Sequence, residues 1–214
     1  MAKTSKVNIA EIWGYNELYP ILQDAFIVLY SSYLEVSKLR KNNPYKKPQT
    51  AKKWFLEDEI TDDLINGTKD IERRFEYRIQ KQQQDFESNV KIDIALLYSL
   101  SFGDNSHDLK IECKRLDNLV YIVEDGIKSY KENKYSEKLP LAGMLHYNIK
   151  DEITQNIKLL NSLITKRISS SEILADYSIF TEHQYTYKSI HKRNNNADLD
   201  LYSCAFDFRE LIEN

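Results

Sequence analysis

A chain of 214 residues is long enough for one packed domain, or one domain with a helical appendage, and leaves little room for two independent ones. With 42% hydrophobic and 29% charged residues and only 5 Gly and 4 Pro, the composition excludes disordered and collagenous classes. Lys and Arg number 30 against 33 Asp and Glu, a net charge of -3, so no uniform basic field draws the protein to a polyanion and any nucleic-acid site is a local patch.

No apolar run approaches the length that spans a bilayer, so no membrane partner is expected, and no solenoid-period repeat is present. Cys113 and Cys204 make no disulfide framework, and the first residues carry no apolar signal-peptide core. A reducing cytoplasm is the expected location.

In chain order, Ile21, Leu22, Ala25, Phe26, Leu29, Tyr33 and Val36 recur at three and four, which predicts a largely buried helix from Pro20 to about Leu39 with Pro20 in its first turn. The segment from Lys38 to Lys53 then holds seven Lys or Arg and no acid and is broken by Pro44 and Pro48. It reads as a basic loop. A second helix is expected near 54–66, opened by the acids Glu57, Asp58, Glu59, Asp62 and Asp63 and stopped by Asn66-Gly67.

The period then changes to two. Phe75, Tyr77 and Ile79 suggest a strand, and VKIDIALLYSL (90–100) and LKIECKRL (109–116) suggest two more, joined by the turn-rich FGDNSHD. Val123, Ile127 and Tyr130 share a helical face within 120–133, with Lys128 off it. LAGMLHYNI (141–149) is apolar enough for a central strand. Ile153, Ile157, Leu160 and Ile164 mark a helix over 151–168. Strands at 184–190 and 199–208, linked by a polar 191–198, complete a mixed α/β fold.

The two central strands carry the chemistry. With a two-residue period, Ile92, Ile94, Ile111 and Cys113 turn to the core, and Asp93, Glu112 and Lys114 emerge together on the opposite face. Charges in the middle of a sheet need partners, because unpaired burial is costly. Asp93 and Glu112 are hard oxygen ligands suited to Mg²⁺ or Mn²⁺, and the backbone carbonyl of Cys113 adds a third. Lys114 then stands where it can orient or deprotonate an attacking water and steady charge on a phosphate. The plainer reading is a solvated cross-strand ion-pair group worth about a few tenths of a kcal/mol per pair.

Asp93 followed by Glu112-Cys-Lys114 on the next strand resembles the PD-(D/E)xK nuclease superfamily, with Ile92 where the family pattern has Pro. The resemblance covers roughly residues 55–149, under half the chain, and implies a restriction endonuclease-like core of a helix, three strands, a helix and a strand, with a central mixed sheet flanked by helices. It places the metal-binding acids on Asp93 and Glu112 and the lysine on Lys114. A Glu from the first core helix often joins such sites, and EDEIT at 57–61 is similar, with Glu59 the first choice and Glu57 the second. The stretch from EDGIKSYKENKY to LPLAGMLHY, with Gly126, Tyr135 and Gly143, looks like the helix and strand after the lysine in bacterial restriction-like proteins. On this reading residues 1–54 form an N-terminal helix and basic loop, 55–149 the core, and 150–214 a C-terminal helix and β extension.

What the resemblance implies is Mg²⁺-dependent endonucleolytic hydrolysis of double-stranded DNA in restriction or phage defence, by a homodimer or with a partner defence protein. Lys46, Lys47, Lys52, Lys53, Arg115, Lys128, Lys192 and Arg193 are candidate phosphate contacts. Arg115 is equally a structural contact. His183 and His191 lack the spacing of a zinc site, and His107 and His146 read as turn and strand residues. No Gly-rich phosphate loop or G-x-S-x-G element is present. The alternatives are a non-catalytic nucleic-acid-binding or protein-interaction module on the same fold, and a nuclease acting on RNA or repair intermediates.

Overall fold

In the computed structural model, α1 (Tyr15–Arg40) lays Leu18, Leu22, Ala25, Phe26, Leu29 and Val36 against the sheet, spaced at three and four and all buried. The structure describes residues 15–47, 53–69, 77–81, 93–98, 109–135, 139–195 and 197–213. Pro20 lies inside α1 and not in its first turn. The ring removes the donor to the Asn16 carbonyl, and both residues are exposed, so water can take its place.

The second helix, α2 (Lys53–Thr68), packs Leu56, Ile60 and Leu64 into the same core. It begins at Lys53, so the acids at 57–63 lie beyond its first turn and serve other purposes. Asp63 accepts from Arg40 Nε at 2.8 Å and from the Tyr45 hydroxyl at 2.7 Å, and the Arg40 guanidinium covers the Tyr45 ring at 4.1 Å. Tyr45 also donates its N–H to Leu211 and accepts from Glu213 N, so the basic loop is pinned in its middle by the C-terminal segment.

Asn66-Gly67 does not stop α2, which continues to Thr68. A Cβ at Gly67 would lie 2.2 Å from Ser32 Oγ, and that hydroxyl donates to the Leu64 carbonyl at 2.6 Å. The glycine is there because α1 and α2 touch.

Among the described residues seven strands form one sheet, in the order β1 (Tyr77–Lys81), β2 (Ile94–Tyr98), β3 (Leu109–Arg115), β4 (Leu141–Asn148), β7 (Asp198–Asp207), β6 (Thr186–Lys192) and β5 (Ala175–Asp176). The pairs β3–β4 and β4–β7 are parallel and the rest antiparallel. Every residue of β3 and β4 is buried, as expected of central strands covered on both faces. The C-terminal β addition is thus not peripheral, because β7 continues the sheet directly from β4.

One face, with Ile111, Cys113, Leu145, Tyr147, Cys204 and Phe206, packs under α1 and α2. The other, with Ala142, Met144, Leu201 and Ala205, packs under α5 (Ile153–Arg167) and a composite helix. That helix is α3 (Leu119–Tyr121), a π-helical stretch (Ile122–Ile127) and α4 (Lys128–Lys131). Much of the tyrosine excess fills the seams, as where Tyr33 stacks on Phe206 at 4.9 Å between α1 and β7. No helix among the described residues is long and apolar enough to cross a membrane.

Gly67→Ala is expected to cost about 1–2 kcal/mol net of its helix-propensity gain, because the new methyl evicts the Ser32 hydroxyl from Leu64. The double substitution Ser32→Ala, Gly67→Ala should cost less than the sum of the singles, as read by urea unfolding.

Candidate metal and phosphate site

Strand β2 pairs with β3 only as far as Ile94 opposite Ile111. Beyond that point the N–H groups of Cys113 and Arg115 face no strand among the described residues, and two carboxylates accept from them. Asp93, just before β2, accepts from Cys113 N at 2.9 Å, and Glu57 of α2 accepts from Arg115 N at 3.1 Å. An unpaired buried N–H is expensive, so this local accounting is what draws two acids to the strand edge.

Glu112 and Lys114 share a face of β3, as their spacing requires. The Lys114 ammonium donates to Glu112 Oε1 at 2.5 Å and to the Cys113 carbonyl at 3.0 Å, and lies 3.7 Å from Asp93 Oδ2 and 3.6 Å from Glu57 Oε1. Asp93, Glu112 and Lys114 are therefore gathered at one place. Glu57, the second choice among the helix acids, is the one that joins them. Glu59 is two residues along α2, about 200° round the helix, and pairs with Arg40 on an exposed face at 3.0 Å.

Three carboxylates surround one ammonium. Glu112 is 2% exposed, and burial followed by the charge of Asp93 holds its carboxyl well above the ordinary range despite Lys114. Burial also raises Glu57, with Lys114 opposing and Asp93 reinforcing. For Lys114 burial acts downward, but Glu112, Asp93 and Glu57 outweigh it and raise the pKa. The lysine stays an ammonium at neutral pH, which suits a donor and not the deprotonating base the sequence allowed.

Glu112 Oε2 is buried without a hydrogen-bond partner. The Glu112 residue, with Glu57, Asp93, Lys114 and Arg115, lines a cleft of about 390 Å³ that Tyr121 and Tyr135 also border. Such an orphaned oxygen beside surplus negative charge fits a hard cation such as Mg²⁺ or Mn²⁺. Yet among the described residues no three His, Cys, Asp or Glu side chains are assembled as a ready metal shell. The reason is geometric: the oxygens converge on Lys114 Nζ, which already holds both Glu112 Oε1 and the Cys113 carbonyl.

The surroundings are tight. A Cβ at Gly126, in the π-helical stretch, would stand 2.9 Å from Met144 Cε and 3.9 Å from Lys114 Cγ, and the Tyr121 ring lies 5.5 Å from Lys114 Nζ. The Cys113 thiol is buried in the opposite core, as its phase on the strand predicts.

The proposed phosphate contacts fare unevenly. Arg115 is 4% exposed and held by Asp117 at 2.9 and 2.6 Å, at the border of the cleft. Lys128 pairs with Glu124 at 2.6 Å. Arg193 is buried and Lys192 exposed, but Lys192 ends β6 and Arg193 follows it, three strands or about 14 Å from β3. Lys46 and Lys47 are exposed, while Lys52, the Lys53 side chain and His107 lie outside the described residues.

His191 belongs to β6 and not to a polar link. It is buried, its Nδ1 lies 2.8 Å from Glu172 and its Nε2 2.8 Å from Ser189 Oγ, and Lys131 holds Glu172 at 2.7 and 2.6 Å. Ser189 is 3% exposed, so this Ser-His-Glu order is a clamp between α4 and β6 without a reachable nucleophile. His183 bonds the Ala205 carbonyl at 2.7 Å.

Sequence reasoning missed His146. Its register partner on β3 is Lys114, it is fully buried, and neither ring nitrogen has a hydrogen-bond partner among the described residues. Burial, then the Lys114 charge, lowers its pKa to about 3. His191 and His183 are lowered by burial as well, each against hydrogen bonds that raise it.

Unfolding releases all three to near 6.5, so the unfolded chain binds more protons than the native one below that value. Their stabilisation is complete above pH 6.5 and lost as pH falls, each group raising the unfolding constant by up to about tenfold per pH unit. Urea midpoints measured from pH 7 to 4 should fall steeply, and His146→Leu should flatten the profile while leaving stability at pH 7 equal or higher.

Comparison with family models, with curated proteins and with solved structures finds no match to this chain.

Proposed function

We propose that the protein is a divalent-cation-dependent endonuclease acting on double-stranded DNA, with a restriction endonuclease-like core. The observation that carries this is the convergence of Asp93, Glu112, Lys114 and Glu57 on one cleft with Glu112 Oε2 buried and unpartnered. The element order supports it. Among the described residues from Lys53 to Asn148 the order is helix, three antiparallel strands, helix and a parallel strand, the order that the superfamily resemblance implies.

Asp93, Glu112 and the Cys113 carbonyl are the residues that would hold Mg²⁺ or Mn²⁺, with Glu57 as the further acid. When bound, the ion supplies Lewis acidity toward a phosphoryl oxygen and lowers the pKa of water. Lys114 enters as an ammonium, orienting the attacking water and offsetting charge that builds on the phosphate. Without a cation the acidic cleft repels a polyanion. With one, exposed Lys46 and Lys47 add sequence-independent affinity. DNA restriction or defence against phage is the setting this activity suits, with a homodimer or a partner protein for cleavage of both strands.

A second reading has its own support: the four groups already form a mutually paired cluster, as a non-catalytic binding module would use. Plasmid cleavage in Mg²⁺ or Mn²⁺ separates the two. Asp93→Asn, Glu112→Gln and Lys114→Met should each lower the rate by about a hundredfold or more, Glu57→Gln should lower it less, and Glu59→Gln should leave it unchanged. Circular dichroism checks the fold of each. Wild-type protein that binds no divalent ion, with substitutions that alter stability alone, would establish the module.

The ion should also stabilise the native state. At a hundredfold excess over its dissociation constant the gain is about 2.7 kcal/mol, seen as a rise in Tm that Asp93→Asn removes.

A further inference from the structure

The Lys114 ammonium occupies the two oxygens, Glu112 Oε1 and the Cys113 carbonyl, that a cation bound at Asp93 and Glu112 would claim. The lysine and the ion cannot both hold them. An ion there draws the ammonium off these oxygens; Glu57 Oε1, 3.6 Å away, is one acceptor left to it, and a second would hold it more firmly, because a buried ammonium short of hydrogen bonds is strongly destabilised.

His146 meets that need. It stands directly across from Lys114 in the β3–β4 register, and the parallel pairing puts both side chains on the same face. It is sealed from water with both ring nitrogens unpartnered among the described residues, which is rare for a native imidazole. A neutral imidazole carries one acceptor nitrogen and one N–H. Burial and the neighbouring lysine keep it neutral, so the acceptor is present at every physiological pH. Diagonal to it on β7, Ser203 Oγ shares the face and is likewise buried without a partner, offering an acceptor for the imidazole N–H.

We infer that His146 is the second docking partner of Lys114: its acceptor nitrogen takes the ammonium when Glu112 and the Cys113 carbonyl turn to a divalent cation. The inference rests on the cation-dependent reading of the cluster and deepens it. Lys114 swings between two acceptors, and His146 acts as a positioning residue that keeps the ammonium beside the cleft. No bond other than hydrogen bonds is exchanged.

The test is a Mg²⁺ titration of the whole protein, without substrate, followed by ring ¹⁵N resonances of its four labelled histidines and by backbone amides at Asp93 and Glu112. The His146→Gln spectrum assigns His146. The acceptor nitrogen of His146 is expected to shift together with the two amides and with the same midpoint, and to stay still in Lys114→Met while the amides still respond. Removing the competing ammonium in Lys114→Met should tighten Mg²⁺ binding. His146→Leu should weaken it by about fivefold or more with no loss of stability, and His146→Gln, which restores an acceptor, should recover most of the affinity.

Amide shifts with an unmoved His146 ring, or Mg²⁺ affinity unaltered in His146→Leu, overturn the inference and leave the cation site standing. A wild type whose amides at Asp93 and Glu112 ignore Mg²⁺ overturns both.

Discussion

Where β2 ends its pairing at Ile94, β3 runs on with two backbone donors that no neighbouring strand among the described residues satisfies, and Asp93 and Glu57 are held there to accept from Cys113 and Arg115. Once those acids are fixed, Glu112 on the same strand makes three carboxylates in a poorly solvated corner, and Lys114 is the ammonium at their centre. The remaining charge deficit is a property of the strand edge itself. Replacing Lys114 with a second acid or an apolar residue would leave carboxylates that must protonate to remain buried.

The same arrangement separates stability from activity. A paired cluster needs only compact charges, whereas catalysis needs an oxygen left open and a cation held back from saturating it. Glu112 Oε2 and the His146 ring are two of the places where, among the described residues, the interior holds polar atoms without partners. Filling either with an apolar group would simplify the core. They lie on adjacent strands and on one face of the sheet, where the proposed cation site would give both a use.

Much of this was legible from local pattern. The two-residue period of 90–100 and 109–116 fixed which side chains share a face, and so anticipated that Asp93, Glu112 and Lys114 meet. The stripe of Ile153, Ile157, Leu160 and Ile164 likewise gave α5 its buried side. What local pattern lacks is phase against distant elements. Glu57 and Glu59 are equally acidic neighbours, and only the rotation of α2 against the β3 edge selects Glu57. His146 could be assigned to a strand, but its pairing with Lys114 depends on a register between residues 32 positions apart. Gly67 reads as a stop signal, and it took the approach of α1 to reveal it as a contact point. Tyr45 sat unremarked within a basic loop because its partners, Leu211 and Glu213, come from the far end of the sequence.

The placement of β7 between β4 and β6 has a consequence for biogenesis. Strand β4, buried along its length and carrying the register that positions His146, shows one bare hydrogen-bonding edge until β7 has been synthesised some fifty residues later. During that interval the nascent sheet offers a sticky template to other chains, a hazard typical of exposed, flat, hydrophobic strands. Closure by β7 removes the hazard and completes the centre of the sheet, late in synthesis and after every residue that lines the cleft has been made.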